Sequence, residues 1–163
     1  MAEFRTQTSF AFRCSNAEMA LLEEAFLAAA NLADGCVPDP PSPELLAIFP
    51  PTGDDVWSRL RGVFADPAFP ILGVDLEGSN TLHDPTRCAV NVYGTTDVDP
   101  GAVALLIQRC CPESLEQAPV GFGYCWSCSK PRVGAFGGGW WVIHPDRIDS
   151  GTTGEALAAA LRG

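Results

Sequence analysis

The spacing of apolar residues changes near residue 15, and this change marks the first two elements of the chain. Apolar and polar positions alternate over residues 8–14, which predicts a strand with Phe10, Phe12 and Cys14 on one face. Ser15 and Glu18 then form the Ser-x-x-Glu capping box that is typical of a helix start. The apolar stripe of the predicted helix consists of Met19, Leu22, Phe26, Ala29 and Ala33, and Gly35 is expected to end it.

Later apolar patterns predict the remaining elements. A second helix is expected at 54–65, and strands are expected at 71–77 and 87–93 with a loop at 78–85 between them. Asp99 and Pro100 favour the start of a third helix that ends before Pro112. Strands at 120–127 and 139–143 and a helix at 153–161 complete the prediction.

This order of elements predicts an α+β fold, with an antiparallel or mixed sheet and helices on one face. Its centre, β-α-β-β-α-β, is the pattern of ferredoxin-like folds, and an extra C-terminal strand and helix follow it. The proline-rich stretch 37–53 is interpreted as a surface excursion within one domain covering 1–163, with one helical turn at 44–48. The alternative, a linker, would leave about 36 residues to form a core of their own, which is too few.

The charge balance limits the classes of partner. The chain has 20 acidic and 10 basic residues, a formal net charge of −10. Direct nucleic-acid binding is not expected, because it depends on cations that displace the counterions of phosphates. A protein partner with a basic surface would instead be attracted, although the acidic residues could serve solubility alone.

No apolar run approaches the roughly 20 residues of a membrane span, and the N-terminus lacks signal-peptide features, so a cytoplasmic location is expected.

The segment 122–142 concentrates the unusual residues of the chain. It holds three of the four tryptophans and Lys130, which is the only lysine. Pro131 stands between Lys130 and Arg132 and restricts the backbone of the loop that carries them. Trp140 and Trp141 are adjacent on a predicted strand, so one of them is expected to face solvent or a covering helix. The predicted binding residues are Tyr124, Trp126, Lys130, Arg132, Phe136 and Trp140.

Three consecutive glycines, Gly137–Gly139, precede Trp140. Such a run could form an anion-binding nest of backbone N–H groups. A strand follows it, whereas a phosphate-binding loop leads into a helix. A bulge or a tight loop that feeds the last strand is therefore the favoured interpretation.

The seven cysteines include one Cys-x-x-Cys pair, Cys125 and Cys128. Redox chemistry is disfavoured, because the pair lies on a predicted strand where positions three apart face opposite ways. Zinc would need two more ligands, which Cys110, Cys111, His83 and His144 do not offer at a recognised spacing. We therefore predict no catalytic residue, no metal and no cofactor, and expect most thiols to be core residues. A composite metal site from distant residues stays open.

Residues Cys128-Ser-Lys-Pro-Arg132 followed by Phe136-Gly-Gly-Gly139 resemble a motif of small acidic proteins from bacteriophages, plasmids and their bacterial hosts. In that uncharacterised group a strand, this loop, the glycine turn and another strand come near the C-terminus. The unit from Cys88 to Cys110 is similar in pattern. The resemblance implies no activity. It implies an accessory protein of a mobile element.

Three functions follow as hypotheses. The first is a non-enzymatic binding module that acts by protein–protein contact through the 124–140 hairpin, in a specific form as an inhibitor of a host defence. The second is a small enzyme or metal protein that uses Cys125, Cys128 and a remote partner. The third is a structural subunit of a larger assembly. The sequence leaves the partner and the oligomeric state open.

Overall fold

The computed structural model of this chain describes residues 1–80 and 83–163. Its six strands are β1 (Phe4–Ser15), β2 (Asp75–Asn80), β3 (Arg87–Gly94), β4 (Val120–Cys128), β5 (Gly137–Ile143) and β6 (Ile148–Thr152). Its six helices are α1 (Asn16–Ala33), α2 (Pro43–Ile48), α3 (Ser58–Arg61), α4 (Pro100–Cys110), α5 (Pro112–Gln117) and α6 (Thr153–Arg162). The predicted α+β class is confirmed.

The strands form a single six-stranded sheet in the order β2-β3-β1-β4-β5-β6. Every pair of neighbouring strands is antiparallel. β3 separates β1 from β2, and β1 separates β3 from β4, so each β-α-β unit is split by a strand of the other. This order is compatible with the predicted β-α-β-β-α-β centre, which by itself does not fix the strand pairing. The ferredoxin-like name itself stays a prediction.

The sheet buries one face, because the apolar residues of each strand alternate with polar ones. Phe10 lies opposite Val92 and Cys14 opposite Cys88, and all four point toward the helices. Helix α1 packs against β1, β2 and β3, while α4 packs against β5. The largest fully buried side chains are those of Leu22, Leu45, Leu60, Leu106, Ile107 and Ile143. The alternate positions of β1, among them Arg5, Ser9 and Arg13, lie on the open face.

Glu18 joins the starts of two helices. Its Oε2 accepts a hydrogen bond from the Ser15 backbone N–H, and the Glu18 N–H donates to Ser15 Oγ, so the predicted capping box of α1 is confirmed. The same carboxylate accepts bonds from the backbone N–H and the hydroxyl of Ser114 in the first turn of α5. One buried side chain therefore satisfies backbone donors of α1 and α5.

The proline-rich stretch 37–53 is fastened to α1. Both the N–H and the hydroxyl of Ser42 donate to the Glu24 carboxylate, each at 2.7 Å. Ser42 also caps α2, which corresponds to the helical turn expected at 44–48. Leu45 and Phe49 of this stretch are buried in the core.

Other predicted boundaries are wrong. The helix expected at 54–65 shrinks to α3, because a bend at residue 54 and a turn at residues 56–57 precede it, and Asp55 Oδ1 accepts a hydrogen bond from the Trp57 N–H. The strand expected at 71–77 begins only at Asp75, and it extends through Gly78 to Asn80 because these residues pair with β3. The rest of the loop expected at 78–85 includes Thr81 and Leu82, which lie outside the described residues. Two elements, α5 and β6, had no counterpart in the prediction, so two strands rather than one extend the sheet beyond β4.

The pairing of β1 with β4 stops half-way along both strands. Their register ends at Thr8 and Tyr124, although β1 continues to Ser15 and β4 begins at Val120. The Thr8 hydroxyl donates to the Gly123 carbonyl at this point, at 2.7 Å. Beyond it the rings of Phe10 and Phe122 stack, with centroids 4.3 Å apart. The two strands thus diverge on either side of a small cleft.

Candidate functional site: the end of the β4–β5 hairpin

The loop between β4 and β5 is built around a tight turn. The Arg132 carbonyl accepts a hydrogen bond from the Ala135 N–H at 3.1 Å, and Gly134 has φ = +75°. A positive φ at the third position is what a type II turn requires, and glycine adopts it without strain. The turn therefore gives residues 132–135, including Arg132, a backbone of defined shape, and Lys130 precedes it by two residues.

The start of this loop is tied to the N-terminal segment. The Ser129 N–H donates to the Glu3 carbonyl, and the Glu3 N–H donates to Ser129 Oγ, both at 2.9 Å. The Glu3 carboxylate also forms an ion pair with Arg5 of β1, at 3.0 Å. The loop is thus held at its base by backbone contacts that the sequence did not indicate.

The two cations on this loop form no ion pair with any residue that the structure describes. In the parts of the chain that the structure describes, the ion pairs involve Arg5, Arg61, His144 and Arg147. Lys130 and Arg132 take part in none of them, and both are exposed. Their charges therefore do not serve to fix the loop through neighbouring carboxylates.

The glycine run has a packing role that differs from both sequence interpretations. Gly137–Gly139 are regular strand residues in register with Trp126, Cys125 and Tyr124, and none of them has a positive φ. A Cβ on Gly137 would lie 2.2 Å from the Trp126 ring, and one on Gly139 would lie 2.7 Å from the Tyr124 hydroxyl. The aromatic rings of β4 thus lie across the glycines of β5. The glycines thus form neither the favoured bulge or tight loop nor the anion nest.

The six predicted binding residues divide between the two faces of the sheet. Tyr124 and Trp126 lie on the same face as the core, with ring centroids 6.1 Å apart, and both are half-buried. Trp140 lies on the open face, 47% exposed, where its indole covers Gly151 of β6. Trp141 points the other way and packs beside Gly101 of α4, so the predicted division of the adjacent tryptophans is confirmed. Trp140 therefore does not share a surface with Trp126.

Phe4 is a residue of this surface that sequence reasoning missed. It lies opposite Cys128, on the same face as Trp126, and is 62% exposed. Phe136, in the loop, is 57% exposed. The predicted first strand began at residue 8, so Phe4 was not placed beside β4. The alternation that continues through Phe4, Thr6 and Thr8 is the signal that could have found it. We call Phe4, Trp126, Lys130, Arg132 and Phe136 the hairpin-end surface.

The Cys-x-x-Cys thiols lie on opposite faces of β4, as predicted. Cys125 is exposed on the open face, where its Sγ lies 3.9 Å from Gln7 Oε1, and Cys128 is buried. A disulfide between them would require the strand to break its pairing with β5. His144, in the turn between β5 and β6, has its Nε2 3.3 Å from Asp149 Oδ2 of β6, and it has no contact with Cys125 among the described residues. No base therefore lies beside this thiol in the part of the chain that the structure describes.

Cys14, Glu18 and Cys111 form the group of side chains that could hold a metal within the described ranges. All three are buried, and their ligand atoms lie within 4.8 Å of one another. A hydrogen bond from Cys111 lowers the pKa of Cys14, and the same contact raises the pKa of Cys111. Burial raises the pKa of neighbouring Cys110 to about 12. Burial also raises the pKa of Glu18, but the hydrogen bonds from Ser114 and Ser15 outweigh it, so the net pKa is lowered.

This group offers three ligands, whereas a closed zinc site needs four. The Glu18 oxygens are already occupied by the donors of Ser15 and Ser114. The cluster is therefore best explained as core packing joined to a helix cap. Sequence spacing could not find it, because its members come from residues 14, 18 and 111.

No protein-family model, no curated protein and no solved structure matches this chain. Among the described residues, none of the helices combines the length and the apolar character needed to cross a bilayer. Function therefore has to be derived from the chemistry of the hairpin-end surface itself.

Proposed function

We propose that this protein is a non-enzymatic binding module that acts by protein–protein contact through the hairpin-end surface. The observation that carries the proposal is a pair of exposed cations, Lys130 and Arg132, which form no ion pair among the described residues and lie on an anchored loop with exposed aromatic residues. Aromatic residues and arginine are the side chains that contribute most to protein interfaces. A loop of fixed shape loses less conformational entropy on binding than a mobile one does.

Each group has a distinct role in this proposal. Phe136 and Phe4 bury apolar area against the partner. Arg132 forms a bidentate pair with a carboxylate of the partner, whereas Lys130 acts as a point charge. The net charge of −10 attracts a partner whose surface is basic beyond this contact. In its specific form, the protein is an accessory of a mobile element that blocks a basic groove on a host protein.

The two other hypotheses have less support. A cysteine-dependent enzyme needs a base beside Cys125, whose described polar contact is the Gln7 amide oxygen. A structural subunit would bury the hairpin against identical copies. The mass in solution tests this last hypothesis. If identical copies assemble through the hairpin, the wild type should have the mass of an oligomer and Phe136→Ser the mass of a monomer.

The test begins with affinity capture from the organism of origin, using the wild type and Lys130→Ala/Arg132→Ala as parallel baits. Proteins that bind only the wild type are identified by mass spectrometry and purified. Association with the true partner should slow markedly as salt rises, because the Debye length falls from about 10 Å at 0.1 M to about 3 Å at 1 M. The protein alone should not shift DNA or RNA in a gel. Tight binding to free nucleic acid, or equal capture by both baits, would contradict the proposal.

A further inference from the structure

The cleft between the diverging halves of β1 and β4 has an unusual lining. It has a volume of about 360 Å³ and is bordered by Ala11 and Arg13 of β1, by Pro119 and Gly121, and by Arg87 and Gln117. Pro119 has no N–H to donate, which disfavours continued pairing at this edge. The stacked rings of Phe10 and Phe122 separate the cleft from the divergence point. The result is a small concave site that contains two cations.

Arg13 and Arg87 are diagonal neighbours on adjacent strands. Arg13 lies opposite Ala89, and Arg87 lies opposite Ser15, so the two arginines occupy the same face two positions apart. Side chains in this diagonal relationship can reach one another. Two like charges so placed repel each other, and an anion bound between them would remove the repulsion.

A polar network holds the Arg87 guanidinium in place. Its Nη1 donates to Gln117 Oε1 at 3.1 Å, and its Nη2 donates to Ser114 Oγ at 3.4 Å. The Ser114 hydroxyl in turn donates to the buried Glu18 carboxylate. These contacts use only part of the donor capacity of a guanidinium, so further N–H groups remain for a ligand. Arg87 is thus an oriented cation on the border of the cleft.

Neither arginine is neutralised by an ion pair among the described residues. The hydrogen bonds of Thr86 and, to a smaller extent, the charge of Arg87 lower the pKa of the Asp84 carboxyl, so Asp84 is an acidic neighbour of Arg87. Glu18 reaches Arg87 only through the Ser114 hydroxyl. Asp84 accepts bonds from the N–H and the hydroxyl of Thr86, and Glu18 accepts bonds from Ser15 and Ser114. Two arginines that share a cleft and form no ion pair in the described parts of the chain are unusual where acidic residues are twice as many as basic ones.

We propose that this cleft binds a small molecule through its phosphate or carboxylate group, with Arg13 and Arg87 as the anion ligands. Guanidinium groups bind both anions bidentately, and the cleft volume falls in the range of small-molecule pockets. The site is separate from the hairpin-end surface, because Arg13 lies nine positions from Phe4 along β1, roughly 30 Å of extended strand.

The test uses inorganic pyrophosphate and citrate as probes, at constant ionic strength set with sodium chloride. Thermal unfolding and calorimetric titration are recorded for the wild type, Arg13→Gln and Arg87→Gln. Arg109→Gln removes a cation from α4, outside the cleft, and serves as the control. We expect saturable stabilisation of the wild type and the control by at least one probe, and binding at least about tenfold weaker in both cleft variants. The probe that binds more tightly identifies the anion as phosphate or carboxylate.

Arg13→Gln is the decisive variant, since Arg13 has no hydrogen bond in the described structure whose loss could unfold the protein. Arg87→Gln also breaks the contact with Ser114. If neither probe gives a saturable response in the wild type, the proposal is wrong. If Arg13→Gln binds as tightly as the wild type, the response comes from an adventitious ion only, and the proposal is equally wrong.

Discussion

The Trp126 indole lies directly across Gly137 on the neighbouring strand. A Cβ at residue 137 would lie 2.2 Å from Trp126 Cζ2 and 2.5 Å from Cε2. We expect Gly137→Ala to displace the ring and to lower the free energy of unfolding by about 1–3 kcal/mol, the usual cost of overpacking. Urea denaturation with tryptophan fluorescence measures both the loss and the movement of the indole.

Gly123→Ala is the matched control for this variant. Gly123 is also a strand residue of the hairpin, but its Cβ would meet nothing closer than the Gly139 carbonyl at 3.6 Å. It should change stability by about 0.5 kcal/mol or less. Equal effects of the two substitutions would show that the position of the Trp126 ring is not what requires glycine at residue 137.

Glu18→Gln should destabilise the protein in a pH-dependent way. The amide NH₂ of glutamine would face the N–H donor of Ser15 or of Ser114, and that donor would lose its hydrogen bond. We expect the free energy of unfolding to fall by about 1–3 kcal/mol near pH 7. The folded state lowers the pKa of Glu18, so its stabilising effect is complete above the unfolded pKa of about 4.3. The effect is lost as the pH falls through the lower, folded pKa. Wild type and variant should therefore converge in acid.

Glu155→Gln tests whether this result is specific to Glu18. Glu155 completes the capping box of α6 in the same way and accepts a hydrogen bond from the Thr152 N–H at 2.8 Å. It is exposed, and within the described ranges it forms no hydrogen bond to a second helix. Its substitution should cost about 0.5 kcal/mol or less. If Glu18→Gln and Glu155→Gln lower the free energy of unfolding equally at every pH, then the bonds of Glu18 to both α1 and α5 are not what stabilises the protein.

The thiols should separate into two classes. Cys36 and Cys125 are exposed, while Cys14, Cys88, Cys110, Cys111 and Cys128 are buried. In the native protein we expect a chromogenic disulfide reagent to modify the two exposed thiols rapidly and the five buried ones only after unfolding. Mass spectrometry of the trapped adducts identifies the residues. Fast native labelling of Cys14 or Cys111 would show that the core opens readily at this point.

We expect no stoichiometric zinc in protein purified without chelators. The cluster of Cys14, Glu18 and Cys111 provides three ligands, and its carboxylate already caps two helices. Elemental analysis checks this expectation directly. About one zinc per chain, lost in Cys14→Ser, would refute it and would favour the metal-protein hypothesis.

Local signals in the sequence were sufficient for α1, α4 and α6. Ser15, Asp99 and Thr152 each cap the helix that follows, and a cap depends on residues within one turn. β6 was missed because Ile148–Thr152 contains one large apolar residue, and its strand character comes from pairing with β5. The helix expected at 54–65 was predicted too long. Its apolar spacing is helical, but the hydrogen bond of the Asp55 side chain to the Trp57 N–H competes with the first helical turn.

The candidate site was predicted only in part. The composition of 122–142 located the loop and its cations, because unusual residues are visible without a structure. The role of the glycines was not predictable, since it depends on the register that places Gly137 opposite Trp126. Phe4 joined the surface through a strand pairing of long sequence separation, and the arginine cleft arose from the divergence of β1 and β4. None of these relationships is encoded by neighbouring residues.

The central claim is that Lys130 and Arg132 bind a partner and do not stabilise the fold. The most direct measurement is the Kd of the captured partner for the loop variant Lys130→Ala/Arg132→Ala. The control is Arg109→Ala/Arg162→Ala, which removes the same number of positive charges elsewhere in the chain. We expect the loop variant to bind at least about 100-fold more weakly, with its melting temperature nearly unchanged, and the control to bind within a few-fold of the wild type. Equal affinities of the two variants, or a large loss of stability in the loop variant, would contradict the claim.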